Sequence, residues 1–87
     1  MHLRIVTPVR IEFDEGGVDF VQADTPRGSI GILPSHAPLF TDLSEKGFVQ
    51  YDQNGERKRS AVSGGVLHVL SDTITVMTQA KVFVAPR

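Results

Sequence analysis

The sequence predicts an all-β fold, a small sandwich of about ten short strands. Apolar and charged residues alternate over residues 9–14, which places Val9, Ile11 and Phe13 on one face of a half-buried strand. Turn signals recur about every eight to twelve residues, a spacing typical of a sandwich or a barrel, and no stretch predicts a convincing helix. A sandwich is favoured because a proline-rich corner within residues 28–40 lets the chain cross between sheets.

Short alternating or β-branched runs predict the strands that precede the corner. Thr7-Pro8 separates the first run from the second, and a glycine pair at residues 16–17 predicts a turn after the second. A polar loop over residues 25–28 then leads into a strand that we expect to be buried. These four strands are predicted over residues 2–5, 9–14, 18–24 and 29–33.

The corner is the most distinctive stretch of the chain. Pro34 and Pro38 hold their own φ at about −65°, donate no backbone hydrogen bond and push the preceding residues into extended geometry. The corner is therefore expected to be rigid and to present the imidazole of His36 from a stiff frame. We expect structural roles for Gly31, Pro34 and Pro38 in the corner and for the later glycine pair, Gly64 and Gly65.

Further strands follow the corner. Asn54-Gly55 lies between two extended runs and predicts a type I′ hairpin, because both residues tolerate a positive φ. The return strand begins with charged residues, 56–59, so its first half is expected at a sheet edge or beyond it. These strands are predicted over residues 39–43, 48–52, 56–62, 66–70, 73–78 and 80–84.

The segment of residues 66–85 contains neither glycine nor proline, so a helix is an alternative there. Nearly half of the segment is β-branched, however, and Ser71-Asp72 interrupts it as a turn. We therefore predict three strands in place of a helix. The residues that could have lined one helical face are Val66, Leu70, Met77, Ala80 and Val84.

Composition and charge exclude several classes of function. Lys and Arg number 9 against 10 Asp and Glu, a balance unlike that of a dedicated nucleic-acid or anionic-membrane binder. The sequence has no cysteine and therefore no disulfide or thiolate metal site. No apolar run approaches the roughly 20 residues that span a bilayer. We expect one domain over residues 1–87, with no direct insertion into a membrane.

The residues that could carry chemistry favour structural roles. The histidines, at positions 2, 36 and 68, have no local partner at the spacing of a metal site. Ser63-Gly64-Gly65 is not a nucleophile elbow, because alanine occupies position 61, where that motif needs glycine. The glycine pair instead predicts a bulge or a close approach of two backbones. The sequence has no phosphate-binding loop, so we expect no cofactor. Because the histidines lack the spacing of a metal site, we expect no metal either.

Apolar residues concentrate in the corner and after the glycine pair, and two interpretations of them remain open. The whole cluster could be core, or part of it could stay exposed beside His36, Thr41 and Ser63 as a protein-binding patch. The residues concerned are Ile30, Ile32, Leu33, Leu39, Phe40, Val66 and Leu67.

Two motifs carry a resemblance to a known family. The first is the corner, Gly28-Ser29-Ile30-Gly31-Ile32-Leu33-Pro34-Ser35-His36-Ala37-Pro38-Leu39-Phe40, and the second is Ser63-Gly64-Gly65-Val66-Leu67. Together with Ile74-Thr75-Val76-Met77-Thr78, they resemble the N-terminal domain of the epsilon subunit of F-type ATP synthases, called delta in mitochondria. The resemblance covers residues 2–84 and implies a flattened ten-stranded β-sandwich of two mostly antiparallel sheets.

This resemblance implies a non-catalytic rotor subunit with two partners. One sheet face would bind the gamma subunit of the central stalk, and a polar loop would sit against the polar loops of the membrane c-ring. Ion-driven rotation would thereby be coupled to ATP synthesis at the cytoplasmic face of the bacterial inner membrane. The implied gamma-facing residues are Thr7, His36, Thr41, Ser63 and His68. The implied c-ring-facing loop is Asp24, Thr25, Pro26, Arg27, Gly28 and Ser29.

The sequence departs from the family pattern at its end, and two other classes of function stay open. Most bacterial members continue into a C-terminal two-helix hairpin that restrains ATP hydrolysis, and we expect no such hairpin within this chain. One alternative is a free-standing β-sandwich that binds another protein and has no affinity for gamma. The other is a small hydrolase that uses Ser63 or His36, whose activity Ser63→Ala would abolish.

Overall fold

The computed structural model describes the backbone of residues 1–84 and the side chains of residues 1–82. It contains ten strands and, within those residues, no helix, so the all-β prediction is confirmed. The predicted single domain, 1–87, includes residues outside the described range. The strands are β1 (His2–Val6), β2 (Ile11–Glu15), β3 (Val18–Thr25), β4 (Gly28–Ile32), β5 (Leu39–Asp42), β6 (Gly47–Gln53), β7 (Glu56–Val62), β8 (Val66–Leu70), β9 (Thr73–Met77) and β10 (Lys81–Val84).

The strands form two five-stranded sheets. Sheet A has the strand order β2-β1-β9-β8-β5, and sheet B has the order β10-β7-β6-β3-β4. The pairing of β1 with β9 is parallel, and the remaining strand pairs are antiparallel. The predicted sandwich of two mostly antiparallel sheets is therefore confirmed.

The proline corner carries the chain from one sheet to the other, as predicted. It joins β4, at the edge of sheet B, to β5, at the edge of sheet A. The prediction that the strand before the corner is buried is wrong. As an edge strand, β4 has a neighbour on one side only, so Ile32 is its one buried residue, and Leu33 just beyond it is 61% exposed.

The turn between β6 and β7 has the predicted type I′ conformation. Asn54 and Gly55 both have positive φ, at 53° and 76°. On its other side β7 pairs with β10 through residues 59–62. The expectation for the charged start of this strand depends on residues outside the described range and stays a prediction.

A β-bulge changes the predicted face of the second strand. Pairing passes from Ile5–Phe13 directly to Val6–Ile11, so Glu12 is an extra residue in β2. Phe13 packs against the core, whereas Ile11 faces outward and is 49% exposed. Val9 precedes the strand and is 86% exposed. The prediction that these residues share one half-buried face is therefore wrong for Val9 and Ile11.

Inward-facing residues of both sheets fill a continuous core. The rings of Phe13 in sheet A and Tyr51 in sheet B have centroids 4.9 Å apart, so they contact each other between the sheets. The buried amide of Gln53 donates to Glu15 and to the carbonyl of Gly16, which satisfies its hydrogen bonds. The fully buried apolar residues include Leu3, Ile5, Val18, Val21, Ala23, Ile32, Val49, Leu67, Ile74 and Val76.

Candidate interaction surface

The outer face of sheet A carries apolar side chains where an antiparallel sheet exposed to water usually presents polar ones. Alternation along β8 puts Leu67 and Val69 in the core and leaves Val66 and Leu70 facing outward. We name this surface the apolar face and define it by its outward-facing apolar residues Val6, Ile11, Phe40, Val66, Leu70 and Met77.

Several of these residues form a continuous row across the sheet. Ile11 is paired with Val6, Val6 is level with Met77, and Met77 is paired with Val66. Neighbouring strands lie about 4.8 Å apart, so this row extends roughly 14 Å across the sheet. A depression beside the middle of the row, where β1 and β9 end, is lined by Val6, Met77 and Pro8 among others. The row is long enough to form the centre of a protein contact.

Polar residues interrupt and border the apolar face. His68 lies in the middle of β8, paired with Phe40, and the two ring centroids are 5.8 Å apart. Toward the β2 edge, Arg4 of β1 lies opposite Asp14 of β2 in the strand register. A hydrogen bond from His2 lowers the pKa of the Asp14 carboxyl below its usual value. An apolar centre with a polar border is typical of protein–protein interfaces.

The outer face of sheet B carries mostly charged and polar side chains, with Val82, 63% exposed, at its β10 edge. Arg57 donates from Nε and Nη2 to the two carboxylate oxygens of Asp52, at 2.8 and 3.1 Å, and this hydrogen bonding lowers the pKa of Asp52. The guanidinium of Arg59 lies 4.1 Å from the ring centroid of Phe48, a cation–π contact over a ring that is 36% exposed. We name this surface the charged face and define it by Gln22, Asp24, Phe48, Gln50, Asp52, Arg57 and Arg59.

The predicted gamma-facing residues lie on or beside sheet A, and the structure does not gather them into one cluster. His68 lies on the apolar face. Thr7 follows β1 and Thr41 lies in β5, and each is less than a tenth exposed. Ser63 is exposed in the loop before β8, at one end of the sandwich, whereas His36 is exposed in the corner at the other end. Their role as contacts stays a prediction.

The apolar cluster that the sequence left open divides between core and surface. Leu33 and Phe40 are 61% and 65% exposed, and Val66 is half-buried. Buried residues, or half-buried ones packed against the core, are Ile30, Ile32, Leu39 and Leu67. Each interpretation therefore holds for part of the cluster.

Sequence reasoning missed most of the apolar face. Val6, Ile11, Leu70 and Met77 all lie on it, and none of them was predicted as a surface residue. One signal was present, because β8 carries apolar residues at both alternating positions. Such strands are typical of sheets covered on both faces. The bulge that turns Ile11 outward has no comparable signal in the sequence.

The predicted c-ring-facing residues form the hairpin between β3 and β4. The hydroxyl of Thr25 donates to the carbonyl of Gly28 at 2.6 Å and accepts the N–H of Arg27 at 3.2 Å. These bonds close the turn, at whose tip Pro26 and Arg27 are exposed. The tip is therefore held in one conformation while remaining accessible.

Asp24 fixes the base of this hairpin. Its carboxylate accepts the hydroxyl of Ser29 at 2.8 Å and the backbone N–H of Phe48 at 2.9 Å. Its carbonyl accepts the N–H of Ser44 at 2.9 Å, from the segment that follows β5. The base of the hairpin is thereby bonded to β6 of the same sheet and to the segment between β5 and β6.

The glycine pair permits a close approach of two backbones, as predicted. A Cβ on Gly65 would lie 1.9 Å from the carbonyl oxygen of Met77, and Gly65 has a φ of 108°. Gly64 also has a positive φ, at 62°. The pair therefore sets how closely the start of β8 lies against the end of β9, which positions Val66 beside Met77 in the apolar row.

The histidines lie apart from one another. His2 bonds to Asp14, His36 Nδ1 lies 2.7 Å from the carbonyl oxygen of Ala37, and His68 lies beside Phe40. Within residues 1–84 no group of three or more His, Asp or Glu residues is placed to hold a metal ion. In the same range no helix is long and apolar enough to cross a membrane.

Comparison with known proteins gives a family match over nearly the whole chain. Residues 1–84 match the β-sandwich domain of the ATP synthase delta/epsilon chain. The chain is 38% identical to the ATP synthase epsilon chain of Caldanaerobacter subterraneus over 79 residues, 91% of this chain and 56% of the relative. It is 46% identical to that of Chloroflexus aurantiacus over 77 residues, 88% of this chain and 54% of the relative. The chain spans about half the length of these curated relatives.

Solved structures share the fold. A chain in the mitochondrial ATP synthase of Euglena gracilis, in an assembly with the c-ring, superposes with a TM-score of 0.86 at 19% identity, covering 93% of this chain and 51% of that one. A chain in the central stalk and c-ring of the Tetrahymena thermophila mitochondrial ATP synthase gives 0.80 at 18% identity, covering 93% and 64%. The resemblance that the two sequence motifs predicted is confirmed.

Proposed function

The chain belongs to the ATP synthase delta/epsilon β-sandwich family, and on that premise we propose that it is a non-catalytic part of the central stalk. It binds the gamma subunit through the apolar face and seats gamma on the c-ring. Ion-driven rotation of the ring is thereby transmitted to the stalk and drives ATP synthesis. This role is mechanical and requires neither a cofactor nor a catalytic residue.

The apolar face is the observation that carries this proposal. Phe40, Leu70, Ile11 and Met77 are between 43% and 65% exposed, on strands whose other side chains fill the core. Covering such residues with a partner removes apolar area from water, which favours a complex, and the net affinity is what remains after the entropic cost of association. A rotor contact must also resist slipping, and side chains on hydrogen-bonded strands keep their positions under load better than side chains on loops.

The sequence-predicted residues take different roles on this face. Phe40 and His68 lie side by side on its outward surface, so we expect both to contact gamma. Thr7 and Thr41 are buried, so we expect them to support the face without a large contact of their own. Ser63 and His36, at opposite ends of the sandwich, would mark the limits of the contact.

The hairpin of residues 24–29 is the proposed contact with the polar loops of the c-ring. Its hydrogen bonds hold the turn, and its exposed tip offers the guanidinium of Arg27 to a polar partner. The matched curated relatives are bacterial, so the chain would act at the cytoplasmic face of the inner membrane. It would be held there by its partners, with no direct insertion into the bilayer.

The test is a calorimetric titration of this chain into the purified gamma subunit of the same organism. Phe40→Asp and Val82→Asp form a matched pair, because the two residues are 65% and 63% exposed on edge strands of opposite sheets. Phe40→Asp should weaken gamma binding at least about tenfold, since it buries an unpaired charge in the contact. Val82→Asp should bind like the unsubstituted chain.

Melting curves control for folding, and both variants should unfold within a few degrees of the unsubstituted chain because both sites are exposed. Equal weakening by the two substitutions would contradict docking on sheet A. A folded chain with no affinity for gamma would contradict the rotor proposal and favour the free-standing protein-binding module.

A further inference from the structure

The corner between the two sheets is exposed and almost untethered. Residues 33–38 are all exposed, and Pro34 and Pro38 have no N–H to donate. Within residues 1–84, one hydrogen bond joins residues 34–38 to another part of the chain. It runs from the N–H of Ser35 to Oδ1 of Asp72, in the turn between β8 and β9, at 3.0 Å.

This hydrogen bond joins backbone segments in strained conformations. Ser35 has a φ of 66°, and Ser71 and Asp72, in the β8–β9 turn, have φ of 50° and 62°. Most residues other than glycine avoid this left-handed region because their Cβ approaches the following carbonyl oxygen, and Asp tolerates it better than Ser does. Backbone strain of this kind persists where the surroundings hold it, and it is concentrated at functional sites.

Glycine would form the β8–β9 turn with less strain. A type I′ turn needs positive φ at both central residues, which glycine adopts freely. Both Ser71 and Asp72 are exposed, so packing does not explain their presence. Glycine at position 72, however, would remove the carboxylate that Ser35 uses. Asp72 therefore supplies a carboxylate that glycine would lack: Oδ1 is the acceptor for the corner, and Oδ2 lies 3.9 Å from the N-terminal ammonium.

We infer that Asp72 is a positioning residue for the gamma-facing corner, an inference that rests on the proposed function. Its carboxylate holds Ser35 in the left-handed conformation, and this sets the direction in which the chain presents His36. The carbonyl of Asp72 accepts the N–H of His2 at 3.0 Å, so the turn itself is fixed to β1. A corner ordered before binding loses less conformational freedom when gamma docks.

Three substitutions separate positioning from stability. Asp72→Gly removes the acceptor and the 3.9 Å ion pair with the N-terminal ammonium and relieves backbone strain, so the melting temperature should change by only a few degrees while gamma affinity falls about three- to tenfold. Asp72→Asn keeps an acceptor of the same shape, and its affinity should stay within about twofold. Ser71→Gly relieves strain without touching the corner, so it should raise the melting temperature and leave affinity unchanged.

Amide hydrogen exchange reports the tether directly. The Ser35 amide should exchange slowly in the unsubstituted chain, in Asp72→Asn and in Ser71→Gly, and it should exchange fast in Asp72→Gly. The inference is overturned if Asp72→Gly binds gamma like the unsubstituted chain, if affinity merely follows melting temperature across the set, or if Ser35 exchange is the same throughout.

The same measurements separate failure of this inference from failure of the proposed function. An unsubstituted chain that does not bind gamma overturns the proposed function and, with it, the gamma-facing role of the corner. In that case slow Ser35 exchange that Asp72→Gly abolishes would still establish the tether as a structural feature. If the unsubstituted chain binds gamma and Asp72→Gly binds it equally well, the positioning role alone is overturned.

Discussion

The outer faces of the two sheets share an architecture and differ in chemistry. Each consists of five strands whose inward side chains form the core. Sheet A leaves Phe40, Leu70 and Met77 exposed among its outward residues, whereas in sheet B the guanidinium of Arg59 lies over Phe48, most other outward residues are charged or polar, and Val82 is exposed at the edge. Because outward residues contribute little to the core, folding does not require this difference. The apolar face is suited to contact with a partner and the charged face to contact with water.

The largest expected effect on stability comes from disrupting the close approach of β8 to β9, which positions the apolar face. Gly65→Ala would place a Cβ 1.9 Å from the Met77 carbonyl oxygen at a φ of 108°, so it should lower the free energy of unfolding by more than about 3 kcal/mol. Gly17 also has a positive φ, 71°, but nothing lies within 4 Å of its added Cβ. Gly17→Ala should therefore cost only about 1 kcal/mol. Urea denaturation measures both, and equal costs would contradict the close approach of β8 to β9.

Removal of a buried hydroxyl group should change the stability in opposite directions in the two sheets, with a smaller effect than Gly65→Ala. The Ser60 hydroxyl, in β7 of sheet B, is buried and has no hydrogen-bond partner among the described residues, so Ser60→Ala should stabilise the fold by about 1 kcal/mol. Thr78, which follows β9 of sheet A, accepts the N–H of Ser63 at 3.1 Å and donates to the Ala80 carbonyl at 3.3 Å. Thr78→Ala should destabilise by about 1–2 kcal/mol. Midpoints of urea unfolding check both signs, and a destabilised Ser60→Ala would show that the hydroxyl is bonded.

The ion pair of the charged face should be visible as a shifted titration. Hydrogen bonding to Arg57 lowers the pKa of Asp52 in the folded chain, so its stabilising contribution is complete above about pH 4 and is lost as pH falls through the lowered pKa. In Arg57→Gln the pKa of Asp52 should rise toward its usual value, while Asp14 on sheet A, which is bonded to His2, keeps its own lowered pKa. NMR titration of the side-chain carboxyls measures both, and an unmoved Asp52 would contradict the assigned cause.

The smallest expected effect is the response of gamma binding to salt. A contact centred on the apolar face should change in affinity by less than about twofold between roughly 50 and 500 mM salt, because few charges are brought together there. A contact centred on the arginines of the charged face would weaken steeply over the same range. Titrations at several salt concentrations distinguish the two faces without any substitution.

Local chemistry explains which parts of the fold were predictable. Asn54-Gly55 specifies its turn through the conformations that the two residues tolerate, and the corner prolines forbid a regular strand where the chain crosses between sheets. The close approach at Gly65 was likewise predictable, because only a residue without a side chain fits there. In each case the cause lies within a few residues of its effect.

The face on which a side chain lies and its exposure were less predictable, because both depend on neighbours distant in sequence. The bulge at Glu12 is visible only in the pairing of β2 with β1, and it turns Ile11 away from the core. Leu33 is exposed because β4 lies at an edge, which the apolar run itself does not reveal. Asp72 becomes important only because the fold brings its carboxylate to Ser35.

Strand periodicity, turn residues and two local motifs were enough to predict the all-β class, the ten strands, the sheet crossing at the corner and the family. The shared outward row of Val6, Ile11, Val66 and Met77 became visible in the folded chain, since that row joins strands from both ends of the chain through β1 and β9. Successive side chains along a strand point to opposite faces of the sheet, and the pairing of strands distant in sequence selects which set faces the core.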